Sequence, residues 1–326
     1  VAIALLIITG TAVVIFGNTY RYAQREVSIP VGAGQLSGVL ITPRDGRPRG
    51  LVVMVHGDAA VEATMDGLYG PWFEGAADSG WATLSWSKPG VGGSDGDWLR
   101  QSMADRAAEV SAVLDWARSR PELPTGRVVL WGASQAGWVL PKVVAARSDL
   151  DGVVAVGTAI NWLRQGRYHL EAGLADDDAG PAERAAAITD SERTVALLER
   201  GASHEEYRAA TADPDPMPPA RWGFVGRNFR SDATADLSAA AKRGIPWSLM
   251  IGDHDRNVDV AETERVYRTI LGSQVTPRRF AAAHSMARPV MEDSAPVGFA
   301  TGVVWPRALL APQVIEHYRA TLDALP

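Results

Sequence analysis

Short unbroken apolar runs alternate along the chain with stretches whose apolar residues recur every three or four positions. Leu51–Val55, Trp81–Trp86, Val128–Trp131 and Gly152–Val156 have the length and composition of strands buried on both faces, and Pro246–Ile251 and Pro277–Ala281 read the same way. Between them, Pro71–Ser79 reads as a helix closed by Gly80, and Met103–Arg118 sets Val110, Val113, Leu114 and Ala117 on one helical face. Gln135–Arg147 and Ala261–Leu271 read as further helices, and Arg307–Leu325 as a closing one. Ahead of all these, Glu26–Val31 and Gln35–Thr42 flank a glycine turn and predict an antiparallel entry hairpin. The alternation predicts an α/β fold, a mostly parallel central sheet flanked by helices on both faces.

Two segments depart from this rhythm. Residues 161–244 show helical patches at Arg184–Arg200 and Glu205–Ala212, a proline-rich stretch at Asp213–Pro219 and no strand pattern. They are expected to form a helical cap inserted into the core, which then comprises residues 26–160 and 245–326. Val1–Tyr20 carries no charged residue, and twenty helical residues span about 30 Å, the thickness of a bilayer's hydrocarbon core. The expectation is a single N-terminal anchor helix holding an extracytoplasmic domain at the membrane. The alternative is a cleaved signal, which would leave the protein secreted.

Composition narrows the function. The chain of 326 residues has a net charge of −6, and of its 32 basic residues three are lysines (Lys88, Lys142, Lys242) with no arginine stripe, so nucleic acid is not the expected partner. Absence of cysteine removes thiolate metal sites and cysteine nucleophiles. Asp176-Asp177-Asp178 reads as a solvated loop, and His204-Glu205-Glu206 lacks the second histidine of a zinc-protease helix, so neither a metal nor another cofactor is expected.

Candidate chemistry gathers at the strand ends. Gly132-Ala133-Ser134-Gln135-Ala136-Gly137 follows one strand and opens a helix. A serine on such a turn is thrust to the top of the sheet, and the residues two places either side must be small, as Gly132 and Ala136 are. A serine nucleophile needs a base, and the base needs an orienting acid. Of six histidines, His284 alone lies just past the last strand, where a loop can bring its ring over the sheet edge. For the acid, Gly252-Asp253-His254-Asp255 follows the strand before it; the spacing favours Asp255 and leaves Asp253 for turn hydrogen bonds. An oxyanion hole needs two backbone N–H groups. Gln135 is expected to supply one and the loop His56–Ala60 the other, through Asp58. The Asp58 carboxylate either turns outward or holds a substrate amine. Trp138, Trp162 and Trp222 are candidates to line an acyl pocket, although most tryptophans are expected in the core.

Taken together, the His56-Gly57 turn, Lys88-Pro89-Gly90-Val91-Gly92-Gly93-Ser94, Gly132–Trp138, Gly252–Asp255 and Ala283-His284-Ser285-Met286 resemble the α/β-hydrolase superfamily, in its serine aminopeptidase-like branch, which also holds esterases and lysophospholipase-like enzymes. The order Ser134, Asp255, His284 agrees with that superfamily. The resemblance implies a serine hydrolase that cleaves a small-molecule ester, thioester or small amide through an acyl-enzyme. An aminopeptidase acting on small peptides remains open, as does a non-catalytic binding protein on the same fold.

Overall fold

The computed structural model describes residues 13–325. Eight strands form one sheet: β1 (Tyr22–Val31), β2 (Gly34–Pro43), β3 (Leu51–Val55), β4 (Ala82–Trp86), β5 (Val128–Ala133), β6 (Gly152–Val156), β7 (Trp247–Gly252) and β8 (Val275–Phe280). Their order across the sheet is β1-β2-β4-β3-β5-β6-β7-β8. β1 and β2 form the antiparallel hairpin, β2 pairs antiparallel with β4, and all later pairings are parallel. Every residue of β3, β4, β6 and β7 is buried. That is why these strands read as unbroken apolar runs: a parallel strand covered on both faces has no side that can carry polar residues.

Helices α1 (Gly70–Asp78) and α12 (Val314–Ala324) cover one face, where Trp72, Phe73, Val314 and Tyr318 pack on Trp131 and Val154. Helices α2 (Met103–Arg118), α3 (Leu140–Ala146), α8 (Thr234–Ala241) and α9 (Val260–Leu271) cover the other, around Val113, Leu140, Leu237 and Tyr267. Three proline effects separate the observed helices from the expected ones. Pro141 inside Gln135–Arg147 splits that stretch into a 3₁₀ turn over Ser134–Trp138 and α3, which takes the proline in its first turn. Pro312 cannot sit inside a helix without losing a hydrogen bond, so the closing helix starts at Val314 after Gln313 at φ 68°, not at Arg307. The residues before it form α10 (Pro289–Asp293) and α11 (Ala295–Val304), each opened by its own proline.

Between β6 and β7 the chain runs through α4 (Trp162–Asp176), α5 (Pro181–Glu199), α6 (His204–Ala210), α7 (Pro219–Asn228) and then α8. A bridge between Asn161 and Asp232 closes the neck of this excursion, with Trp162 N–H donating to the Ser231 carbonyl at 3.0 Å and Ala233 N–H to that of Ile160 at 2.8 Å. Residues 162–231 thus stand outside the neck as the cap, and α8 returns to pack on α3 in the core layer. The expected anchor over residues 1–20 falls largely on residues 1–12, outside those described. Residues 13–18 are helical, and no helix among the described residues is long and apolar enough to cross a membrane.

Close backbone approach at the sheet's upper edge rests on Gly252. A Cβ there would lie 2.4 Å from the Ala282 carbonyl oxygen and 2.5 Å from that of Ala283, two backbone atoms that cannot swing aside. Gly252→Ala is therefore expected to cost about 1–3 kcal/mol and to lower Tm by several degrees in a melting experiment. Gly126→Ala, where a Cβ meets nothing within 4 Å, should leave Tm unchanged. Equal Tm values for the two variants would contradict this packing.

Candidate active site

Ser134 directly follows β5 with φ 53°, a left-handed backbone that a non-glycine residue adopts only under local constraint. Its surroundings supply the constraint. A Cβ on Gly132 would stand 2.8 Å from the Ala136 Cβ, and one on Gly137 would stand 2.6 Å from the Ala159 carbonyl oxygen. Strand and turn can therefore meet only because these positions are small. The strained turn exposes Ser134 in a cavity of about 820 Å³, which His284 also lines. Ser134 and His284 share no hydrogen bond in this structure.

His284 Nδ1 lies 2.7 Å from Asp255 Oδ2. A carboxylate oxygen only accepts, so Nδ1 carries the proton and Nε2 is left as an acceptor. The other Asp255 oxygen accepts from the N–H groups of Asn257 and Val258, both at 2.8 Å. Burial disfavours the charged imidazolium of His284, but the hydrogen bond and charge of Asp255, aided by Glu292, outweigh it and hold the His284 pKa above its ordinary value. Asp253 points the other way, its carboxylate bound by Arg279 at 2.9 Å on the surface. The cap grips the acid's turn: from α4, Tyr168 donates to the Asp255 carbonyl at 2.9 Å and Gln165 to that of Asn257 at 2.8 Å.

The loop after β3 approaches the serine from the other side; a Cβ on Gly57 would lie 3.3 Å from the Ser134 Cβ. Buried Lys88 donates to the carbonyls of Gly57 at 2.6 Å and Ala59 at 2.9 Å. A trans peptide holds its C=O and N–H antiparallel, so the Asp58 N–H points away from Lys88. Buried Arg106 braces both loops at once, donating to Gln135 Oε1 at 2.5 Å and to the His56 carbonyl at 2.8 Å. Burial, reinforced by the charge of Arg106, pushes the Lys88 ammonium down to about 6, against the pull of Asp58 and Glu109. His56 is a structural residue: its ring contacts the Trp86 carbonyl at 2.6 Å and the Tyr69 hydroxyl at 3.2 Å, and burial lowers its pKa to about 3.

The Asp58 carboxylate is taken by Arg221 of α7, whose two terminal nitrogens reach its two oxygens. Burial favours the neutral acid, yet the Arg221 hydrogen bonds and charge hold the Asp58 pKa below the ordinary carboxylate range. Trp138 and Trp162 line the cavity, stacked at 5.0 Å, and Trp98 joins them. Trp222 is elsewhere, buried in the cap, stacked on Tyr207 at 4.3 Å and donating to the Ala202 carbonyl. The sequence carries no signal for the direction of the Trp222 ring, and Trp98, on a 3₁₀ turn after β4, is a wall residue not among those expected. Arg106, Lys88 and Arg221 were not expected as site residues, because each acts through partners distant in sequence. Among the described residues no cluster of three or more His, Asp or Glu side chains is placed to hold a metal ion.

Comparison with known proteins follows the fold. The family model described as serine aminopeptidase, S33 matches residues 46–286. Solved structures of similar architecture include an esterase of Pyrococcus furiosus (17% identity, TM-score 0.56, covering 87% of this chain and 92% of that one). Another is Est1E of Butyrivibrio proteoclasticus with ferulic acid bound (14%, TM-score 0.55, 91% and 96%). A third is an acylaminoacyl peptidase of Pyrococcus horikoshii (13%, TM-score 0.55, 95% of this chain and 42% of that one). Comparison with curated protein sequences gives no match.

Because Arg221 and Asp58 tie α7 to the loop after β3, loosening either should loosen both. Arg221→Gln should raise amide exchange in residues 57–60 and in α7 together, by about tenfold, and adding Asp58→Asn should raise it little further. Hydrogen-exchange mass spectrometry checks this; faster exchange confined to α7 would contradict it.

Proposed function

From the premise that this chain belongs to the serine aminopeptidase S33 family of α/β-hydrolases, we propose that it is a serine hydrolase of carboxylic esters or thioesters with an apolar acyl group. Ser134 is the nucleophile, His284 the general base and Asp255 the group that orients it. His284 Nε2 takes the hydroxyl proton as Ser134 Oγ attacks the carbonyl carbon. The N–H groups of Gln135 and Asp58 receive the developing oxyanion. His284 then returns the proton to the departing alcohol or thiol, leaving an acyl-serine. A water deprotonated by the same imidazole hydrolyses that ester and frees Ser134. The buried Asp255 carboxylate stabilises the imidazolium at each stage.

The observation that carries the ester reading is the state of Asp58. A peptidase that binds a free amino terminus needs a carboxylate for the ammonium group. Of the described residues lining the cavity, Asp58 is the one that has a carboxylate, and Arg221 occupies it. Tryptophans supply much of the remaining wall, which suits an acyl chain. The test is a panel of p-nitrophenyl esters of graded chain length beside aminoacyl nitroanilides. Esters are expected to be turned over at least 100-fold faster in kcat/KM. Ser134→Ala should lose about 10⁴–10⁶ in kcat on the best of them. Faster cleavage of the nitroanilides, or a variant that retains a tenth of wild-type turnover, would overturn the reading.

The pH profile has a defined sign. The base works as neutral imidazole, and the Asp255 contact holds the His284 pKa above 6.5. Activity should therefore fall as pH drops through a midpoint above 6.5. In Asp255→Asn, with the stabilising charge removed, the residual activity should have its midpoint at lower pH. A wild-type midpoint below 6, or one that does not move in Asp255→Asn, would remove His284 from this role.

A further inference from the structure

Helix α11 is an apolar helix with no buried face. Its sequence, Ala-Pro-Val-Gly-Phe-Ala-Thr-Gly-Val-Val, has no charged residue and none of its residues is buried. Phe299 is 76% exposed, and Val297 and Val303 also face outward. Water is a poor environment for such a surface, and a helix that is apolar all round normally lies within a protein or in lipid.

A second exposed apolar segment lies against the first. In residues 13–18, Phe16 is 74% exposed and Ile15 61%. Gly17 sits so close to α11 that a Cβ there would be 2.1 Å from the Val304 carbonyl oxygen. Asn18 Nδ2 donates to the Val303 carbonyl at 2.9 Å, and Arg307 donates to the carbonyls of Gly17 at 2.8 Å and Thr19 at 2.7 Å. Glu74 of α1 fixes Arg307 in turn, with two contacts of 2.8 Å. Two segments nearly 300 residues apart in sequence are thus joined into one apolar surface, held on the core by an ion pair.

We propose that this surface seats the protein on a lipid bilayer, with α11 and residues 13–16 in the acyl-chain boundary. Three observations select lipid over another occupant. The sequence leading into the surface, Val1–Phe16, carries no charge, a composition suited to lipid. Exposed Trp305 follows α11, and such an amphipathic aromatic favours the membrane–water interface. Arg21 and Arg288 are exposed and flank the two apolar segments in the sequence, and cations beside an apolar surface favour anionic lipid phosphates.

The surface also reaches the cavity. Leu68 lies against α11 at Gly302, and Met65, close by in the same turn and also exposed, lines the cavity. On the other side Glu292 of α10 accepts from the N–H of Ser285, the neighbour of His284, at 3.0 Å. Seating on lipid therefore brings the cavity rim to the bilayer. The consequence, that the substrate is an acyl ester held in a membrane, rests on the hydrolase reading above; the docking does not.

The chain has no cysteine, so a single introduced one can be labelled cleanly. The full chain carrying Phe299→Cys, labelled with an environment-sensitive fluorophore, is mixed with phosphatidylcholine vesicles with and without a nitroxide on the acyl chain. Ser119→Cys, exposed at the end of α2, is the control. The label at 299 should shift to the blue and lose at least half its intensity to the lipid nitroxide, and the label at 119 should do neither. Failure to float with vesicles, or a label at 299 that iodide in the water quenches as freely as at 119, would overturn the docking. So would lipid-independent protection that grows with protein concentration, which would assign the face to a second copy. As a separate arm, Phe299→Asp with Val303→Asp should lower turnover of a vesicle-borne ester at least tenfold and leave that of soluble p-nitrophenyl acetate unchanged. Equal loss on both would contradict the membrane substrate. No turnover of either ester by the unaltered chain would sink the hydrolase reading while leaving the fluorescence result to stand.

Discussion

The Asp255 carboxylate is the contact on which the arrangement at the top of the sheet depends. One oxygen holds His284 at 2.7 Å and the other closes its own turn by accepting from Asn257 and Val258. A buried carboxylate is tolerable only when its lone pairs are met in this way. The same pairing fixes the imidazole's tautomer and raises its basicity. Because β7 and β8 are adjacent and parallel, their ends bring acid and base loops side by side, and Gly252 lets the two backbones touch. The cap is built onto the same turn through Tyr168 and Gln165, so the chamber wall and the acid are held in one register.

Charge neutralisation shapes the rest of the chamber. Arg221 neutralises the Asp58 carboxylate and so latches the cap to the loop after β3, the loop that approaches Ser134. Lys88 and Arg106 work beneath, aligning peptide dipoles by gripping carbonyl oxygens and one side-chain amide. Preorganised donors of this kind are worth more inside a low-dielectric pocket than in water. Fixing these two side chains under the site keeps the loops after β3 and β5 from relaxing away from one another.

Ser134, Asp255 and His284 could be picked out as candidates because each sits in a local pattern: small residues around a strand-to-turn serine, an aspartate after a strand, a histidine after the last one. Strands buried on both faces announced themselves by the same logic. Features set by tertiary contact were not legible. Arg106 looks like any arginine on an amphipathic helix until the helix is laid under two loops. Trp222 turns into the cap interior, and Trp98, on a short turn well before the cap in sequence, takes a place in the cavity wall. Pro141 and Pro312 are visible in the sequence, and each sets a helix start later than the apolar pattern alone places it. Helices α10 and α11 were not legible because five residues are too few to show a period and the apolar residues of α11 carry no one-sided pattern.

The most direct measurement on the central claim is covalent. Brief mixing with a fluorophosphonate followed by intact-mass and peptide analysis reads which side chain acts as nucleophile. The account predicts one adduct per chain, on Ser134, formed quickly in the unaltered protein and at least 100-fold more slowly in His284→Ala. An adduct on any other residue, or labelling of Ser134 at the same rate without the imidazole, would contradict it.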